Sequence, residues 1–405
     1  MSGTKWFPTM LLISIFQVVS FFQVIFVDGE IDQTVLNIFI IYTAIEWIYS
    51  IASSIILKKS SLALEYIAFF LTGIGLVVVA STTPSLLVRQ FTAVIIGFVS
   101  YIVILFMIAN VDRAEKFRIP MAAAAILLLI ITLIFADNNN GAYNWITVGG
   151  FSVQSSELVK VAFIFVGAAT LEKLQSTKNI TAYVIFAVVC IALLFLMRDL
   201  GTALIFFFTF IVLAFMRSGD IRTIIFLTIG AAMAAGLVVL IRSDYVMSRF
   251  ETYRHVWEFE NGKGFQQTRV LTYSVSGGLL GLGIGNGVLK EVFAATEDLV
   301  FGVVCEEWGL LIGFLIASSF IFIFIHSIRC GNGARSAFYS ISSCAAGGLF
   351  LFQAALNIFG VTDFLPMTGV TLPFVSRGGS STISCWALLA FIKAADNRTW
   401  SGSRR

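Results

Sequence analysis

Charged residues are scarce in this 405-residue chain: 12% are Asp, Glu, Lys or Arg, against 58% hydrophobic residues. With a mean hydropathy of +0.94, the chain lies far outside the soluble range and reads as a multi-span membrane protein, with no nucleic-acid partner expected. Histidine is limited to His255 and His326, which makes a histidine-based metal site an unpromising reading. The cysteines Cys190, Cys305, Cys330, Cys344 and Cys385 include no CxxC pair and fall mostly in apolar segments. They read as small packing residues, neither a disulfide framework nor a metal site. A cleaved leader is not expected, because Val27-Asp28-Gly29-Glu30 offers no small-residue cleavage site and a second span follows directly.

Apolar segments lie near 9–27, 35–57, 62–83, 91–111, 119–136, 157–171, 182–197, 200–216, 223–241, 299–325, 338–361 and 381–395. They predict an all-α polytopic bundle of about twelve membrane helices. Several are shorter than the roughly 20 residues a perpendicular helix needs, so their ends extend into polar flanks. The formal net charge of +3 says little, since the placement of Lys and Arg matters more than their sum. With Met1 inside, the inner turns collect Lys5, Lys58, Lys59, Arg113, Lys116, Arg118, Lys173, Lys178, Arg217, Arg222, Arg329, Arg335, Lys393, Arg398, Arg404 and Arg405. The short outer turns hold only Arg89, Arg198 and Arg377. Both termini are therefore expected in the cytoplasm, with a large extracytoplasmic loop over 242–298.

Within that loop Phe250, Tyr253 and Trp257 recur at helical spacing with Arg249, Arg254 and Glu258 between them. The pattern fits a short amphipathic helix lying in the membrane interface, and equally a solvated loop with scattered aromatics. On the helical reading its arginines could hold a lipid-borne phosphate.

The loop ends in a glycine-dense run, Gly277 to Gly287, followed by Glu297-Asp298 and then by Glu306-Glu307 inside an apolar segment. An ionised side chain at mid-bilayer costs roughly 2.5 to 3.5 kcal/mol, so such acids face a bundle interior or a wet cavity. On a helix beginning near Asp298, Gly302, Cys305 and Gly309 share its face, Glu306 lies about 80 degrees away and about 12 Å along, and Glu307 points opposite. Asp298 and Glu306 would then line different depths of one groove and form no carboxylate dyad.

Three further polar sites stand out. Glu157 and Lys160 open the sixth span at i and i+3 on one face; they read as a self-neutralising ion pair or as substrate-handling groups. Asp199, in the tight turn Arg198-Asp199-Leu200-Gly201-Thr202, suits a helix cap. The run Leu372 to Ser381 breaks helical geometry with Pro373, Gly378 and Gly379, so it should be shielded by protein or line a water-filled cavity. Glu46, alone in the second span, reads as an interhelical hydrogen-bonding group.

Five segments together resemble the SEDS family (shape, elongation, division and sporulation proteins), which includes FtsW and RodA. They are Asn144-Trp145-Ile146 with Gln154 to Lys160; Asp199-Leu200-Gly201-Thr202-Ala203-Leu204; the Gly277–Gly287 run; Asp298-Leu299-Val300-Phe301 with Glu306-Glu307-Trp308-Gly309; and Leu372-Pro373-Phe374 with Gly378-Gly379-Ser380-Ser381. The resemblance divides the chain into two additional N-terminal helices (1–61), a ten-helix core (62–395) and a cytoplasmic tail (396–405). Against the family pattern, Ser155 and Arg198 replace prolines, Glu297 replaces a Thr and Arg377 replaces a Tyr.

The resemblance implies a peptidoglycan glycosyltransferase in the bacterial plasma membrane that polymerises lipid II. Its partners would be a class B penicillin-binding protein and other membrane proteins of division or elongation. Asp298 matches the acid the family requires for polymerisation, and Glu157 and Lys160 match a polar pair in its cavity. Asp199, Glu306, Ser376 and Ser380 match signatures with substrate-binding or structural roles. By its chemistry Asp298 suits a general base. Arg249, Arg254 or Arg269 would neutralise the departing diphosphate, or a divalent cation (Mg or Mn) on Asp298 and Glu297 would do so. A lipid II transporter and a non-enzymatic division scaffold are the rival readings.

Overall fold

A computed structural model describes residues 6–27, 30–56, 61–139, 142–148, 151–172, 177–218 and 251–400, with isolated positions 222, 225 and 229. Helices α1 (Trp6–Ile25), α2 (Gln33–Ile56), α3 (Ala63–Thr82), α4 (Leu87–Met107) and α5 (Val111–Phe135) open the chain, with a small β1 (Phe26–Val27) and β2 (Glu30–Ile31) pair between the first two. A three-stranded antiparallel meander follows, β3 (Asp137–Asn139), β4 (Ala142–Val148) and β5 (Phe151–Gln154). Then come α6 (Ser155–Glu172), α7 (Thr177–Leu196), α8 (Leu200–Ser218), α9 (Phe265–Ser276), α10 (Val300–Glu307), α11 (Leu310–Asn332), α12 (Ala337–Val361) and α13 (Gly379–Ala395).

Among the described residues α1 to α5, α8, α11 and α12 are long and apolar enough to cross a membrane, and parts of α7 and α13 are shorter apolar helices. The expected span over 223–241 and candidate Arg249 lie outside the described residues. Burial sorts the helices, because an apolar helix covered by protein is central while one left bare meets lipid. Most of α3 and α12 is covered, 83% and 72% of their apolar windows, whereas α5 is covered over only 17%.

Polar contacts join the two N-terminal helices to each other and to α3. Gln17 Nε2 donates to Glu46 Oε1 at 2.8 Å, Tyr42 OH to the Phe69 carbonyl at 2.7 Å, and Tyr49 OH to Glu65 Oε1 at 2.9 Å. Glu46 thus holds the interhelical place expected of it. In the bilayer such bonds are what join helices whose apolar surfaces are indifferent to one another.

Two expectations require correction. The segment 299–325 is not one helix: α10 ends at Glu307, and Gly309, at φ +83°, begins α11. The glycine-dense run lies against this break and binds its backbone. Leu310 N–H donates to the Gly278 carbonyl at 3.0 Å, Leu282 N–H to Glu306 at 3.0 Å and Gly283 N–H to Glu307 at 3.1 Å. Without such partners a broken helix would orphan these groups in an apolar setting. The helix also starts at Val300, two residues later than expected, so Asp298 precedes it. Of the two readings open for the loop at Tyr253 and Trp257, the non-helical one holds: the chain runs in turns from Tyr253 to Gly264. Tertiary contacts override local periodicity there: Arg254 takes φ +61°, its N–H donates to Asp363 Oδ1 at 3.1 Å, and Tyr253 OH reaches the Phe364 carbonyl at 3.0 Å.

Candidate functional site around Asp298

Asp298 is half-buried at the turn before α10. Its carbonyl accepts from Asn357 Nδ2 at 2.8 Å, and the same nitrogen donates to the Val370 carbonyl at 2.8 Å, so α12 holds the Asp298 turn and the 370 loop together. A shallow hollow lies between them, with no interior space for a water molecule, lined by Asp298, Leu356, Asn357, Gly360, Val361, Met367, Thr368, Gly369 and Val370. The Asp298 carboxylate faces Gly369, at φ +68°, where an added Cβ would stand 3.4 Å from Oδ2.

Two cleft-lining oxygens, Asn357 Oδ1 and Thr368 Oγ1, are buried with no partner among the described residues. Since Asn357 Nδ2 is committed to two carbonyls, the orientation of its amide is set by the network. A carboxylate beside unpaired oxygens suits hydrogen-bond donors, as a sugar hydroxyl supplies. Sequence reasoning missed Asn357. Its signal was Gln353 and Asn357 four residues apart, hence on one face of an otherwise apolar helix.

The departures Glu297 and Arg377 are partners: the Arg377 guanidinium pairs with the Glu297 carboxylate and its Nε donates to Thr296 Oγ1 at 2.9 Å. Glu297 is thus held by Arg377, and among the described residues no three His, Cys, Asp or Glu side chains gather as a metal-ligand group. On the divalent-cation reading Asp298 and Glu297 would be the ligands, and Glu297 would have to exchange its Arg377 partner for the ion.

Glu157 and Lys160 form a buried pair at 2.7 Å, side chains 4% and 1% exposed. It is closed on both sides, Lys160 donating also to Gln353 Oε1 at 2.9 Å and Ser384 donating to Glu157 Oε2 at 2.9 Å. Asp199 does cap α8, accepting from Thr202 N–H at 3.2 Å. Its other oxygen accepts from Asn144 at 3.0 Å, Gln154 at 3.2 Å and Ser156 at 3.3 Å, which fastens the β-meander to the start of α6. Gly201, next in that turn, packs on the Thr368–Val370 wall of the cleft: an added Cβ would come 2.5 Å from Val370 Cγ1.

The non-helical run over 372–376 is buried, as its backbone chemistry requires. Ser376 Oγ accepts from Leu372 N–H and donates to the Glu297 carbonyl, and Ser380 Oγ accepts from Gln154 N–H at 3.2 Å. Glu306 does not line a groove with Asp298. Its oxygens accept from Val288 and Leu289 N–H at 2.8 and 2.9 Å, holding the glycine-dense loop, because the later helix start turns it there. Arg254 stacks on Tyr253, centroid distance 5.4 Å, and Arg269 on Phe265 at 5.0 Å.

A multi-pass helical membrane protein with a half-buried carboxylate over a small, mostly apolar hollow is the class these features define. The chain belongs to the FtsW, RodA and SpoVE family, described as cell cycle proteins, which matches residues 61–400. It is 35% identical to the stage V sporulation protein E of Bacillus subtilis over 252 residues, 60% of this chain and 68% of that one. It is 28% identical to the probable peptidoglycan glycosyltransferase FtsW of Coxiella burnetii over 368 residues, 84% and 98% of the two chains. Two solved structures share the fold, each covering 84% of this chain and 98% of the other. One is a chain of a peptidoglycan synthase complex that coordinates polymerisation and crosslinking, with a TM-score of 0.69 at 23% identity. The other is the rod shape determining protein RodA of Thermus thermophilus, with a TM-score of 0.61 at 24% identity.

Proposed function

We propose that this chain is a peptidoglycan glycosyltransferase that joins lipid II units into glycan strands at the cleft around Asp298. Family membership and the names of its relatives support the activity. The single observation that carries the site is the Asp298 carboxylate beside two buried cleft-lining oxygens, Asn357 Oδ1 and Thr368 Oγ1, that have no partner among the described residues.

In the reaction a sugar 4-hydroxyl attacks an anomeric carbon. The new C–O bond forms as the bond to undecaprenyl diphosphate breaks, and Asp298 takes the hydroxyl proton as general base. The leaving diphosphate carries negative charge, and Arg254 and Arg269 on the long loop are the described candidates to meet it. By the distribution of Lys and Arg the cleft opens outside the bacterial plasma membrane and both termini lie in the cytoplasm. A class B penicillin-binding protein is the proposed partner, consistent with the solved complex of the same fold. The transport reading needs polar groups free to exchange partners through the membrane. Of the residues that reading leans on, Lys160 and Glu306 are held by the protein itself, while both Glu307 carboxylate oxygens are buried with no hydrogen-bond partner among the described residues.

The test is Asp298→Asn, purified with the partner and given lipid II. Strand synthesis is expected to fall by about 10² or more, and undiminished synthesis removes Asp298 from the mechanism.

A further inference from the structure

Residues Thr296 to Asp298 run beside Ser376 and Arg377, and four contacts join the two segments. Arg377 N–H donates to the Thr296 carbonyl at 2.7 Å, its Nε donates to Thr296 Oγ1 at 2.9 Å, Ser376 Oγ donates to the Glu297 carbonyl, and the Arg377 guanidinium grips the Glu297 carboxylate. On the other side of Asp298, Asn357 holds its carbonyl. Neither segment is helical there: 296–298 is a turn behind Ala294, at φ +63°, and 372–378 precedes α13. The turn closes on itself through Glu297 N–H and Leu299 N–H, which both donate to the Ala294 carbonyl at 3.1 and 3.2 Å, and the cross-links fix how it sits against the 376–377 segment. The two charged side chains are 27% and 38% exposed, and a pair so solvated adds little to folding stability. Arginine's planar fork, held at two of its nitrogens, fixes direction more than energy.

We infer that Glu297 and Arg377 are positioning residues for polymerisation, a clasp that fastens the turn carrying Asp298 to the loop before α13 and so aims the carboxylate into the cleft. The inference rests on the reading of Asp298 given above. It also makes one unit of two charges that are 80 residues apart in sequence, so their substitutions must not act independently.

The experiment compares Glu297→Gln, Arg377→Gln, the double variant and Arg377→Lys in the purified full chain with its partner, using lipid II as substrate and Asp298→Asn in parallel. Each single Gln variant is expected to lower kcat about tenfold, with KM within about twofold and thermal midpoint unchanged. The double variant falls no further than the weaker single. Arg377→Lys keeps the charge but not the fork, and lands between wild type and Arg377→Gln. Wild-type kcat in the singles, losses that multiply in the double, or a kcat loss tracked by a falling midpoint each overturns the clasp. If Asp298→Asn is inactive while the clasp variants are normal, only the clasp fails. If Asp298→Asn is fully active, the reading of the site fails and the clasp with it.

Discussion

Replacing Lys160 by Met separates a structural ion pair from a substrate-handling one. In the native protein Lys160 Nζ lies 2.7 Å from Glu157 Oε1 and 2.9 Å from Gln353 Oε1, while Glu157 Oε2 accepts from Ser384 at 2.9 Å. Methionine matches the stem in length and removes the ammonium. It leaves a buried carboxylate with one hydroxyl donor, and it leaves Gln353 Oε1 unpaired. Breaking a buried pair from one side costs about 3 to 5 kcal/mol, mostly the penalty of the stranded charge, whereas removing both charges is often close to neutral. Lys160→Met should therefore sharply reduce the folded yield and the thermal midpoint in detergent. Lys160→Met combined with Glu157→Gln should recover most of both, and lipid II polymerisation per folded molecule should stay near wild type. A double variant as unstable as the single refutes the stranded-charge argument. A stable double variant that does not polymerise refutes the structural reading and returns the pair to substrate handling.

Two other substitutions test the cleft and its support. Gly369→Ala places a methyl 3.4 Å from Asp298 Oδ2 at a left-handed backbone position. It should cost about 1 to 2 kcal/mol in strain and lower kcat more than it raises KM, read in steady-state polymerisation kinetics; unchanged kcat would show that Gly369 does not bound the reacting carboxylate. Asp199→Ala removes a helix cap and the acceptor shared by Asn144, Gln154 and Ser156. It should cost about 2 to 4 kcal/mol and lower the thermal midpoint, while Asp199→Asn keeps the cap and loses less.

Much of the architecture is legible from residues near one another in the chain. The scarcity of charge, the long apolar runs and the breaks between them located most of the described apolar helices, with 299–325 the exception, since lipid solvation is a property of each segment by itself. The i, i+3 pairing of Glu157 with Lys160 and the capping chemistry of Asp199 are local in the same sense and stand in the structure as the spacing suggested. Asp298 was singled out by its segment's resemblance to a family.

What only the tertiary structure decided is where those local pieces meet. An apolar run with Gly309 inside it looks the same whether it is a straight helix or a broken one; the break is real because the glycine-dense loop accepts and donates the backbone bonds that the interruption frees. The same dependence sets Glu306 against that loop, gives Glu297 to Arg377 and brings Asn357 to Asp298. Partners such as Glu157 and Ser384, 227 residues apart, are chosen by how helices assemble. Helical period and hydropathy specify which face of a segment is polar, and the direction from which another segment arrives is a property of the whole bundle.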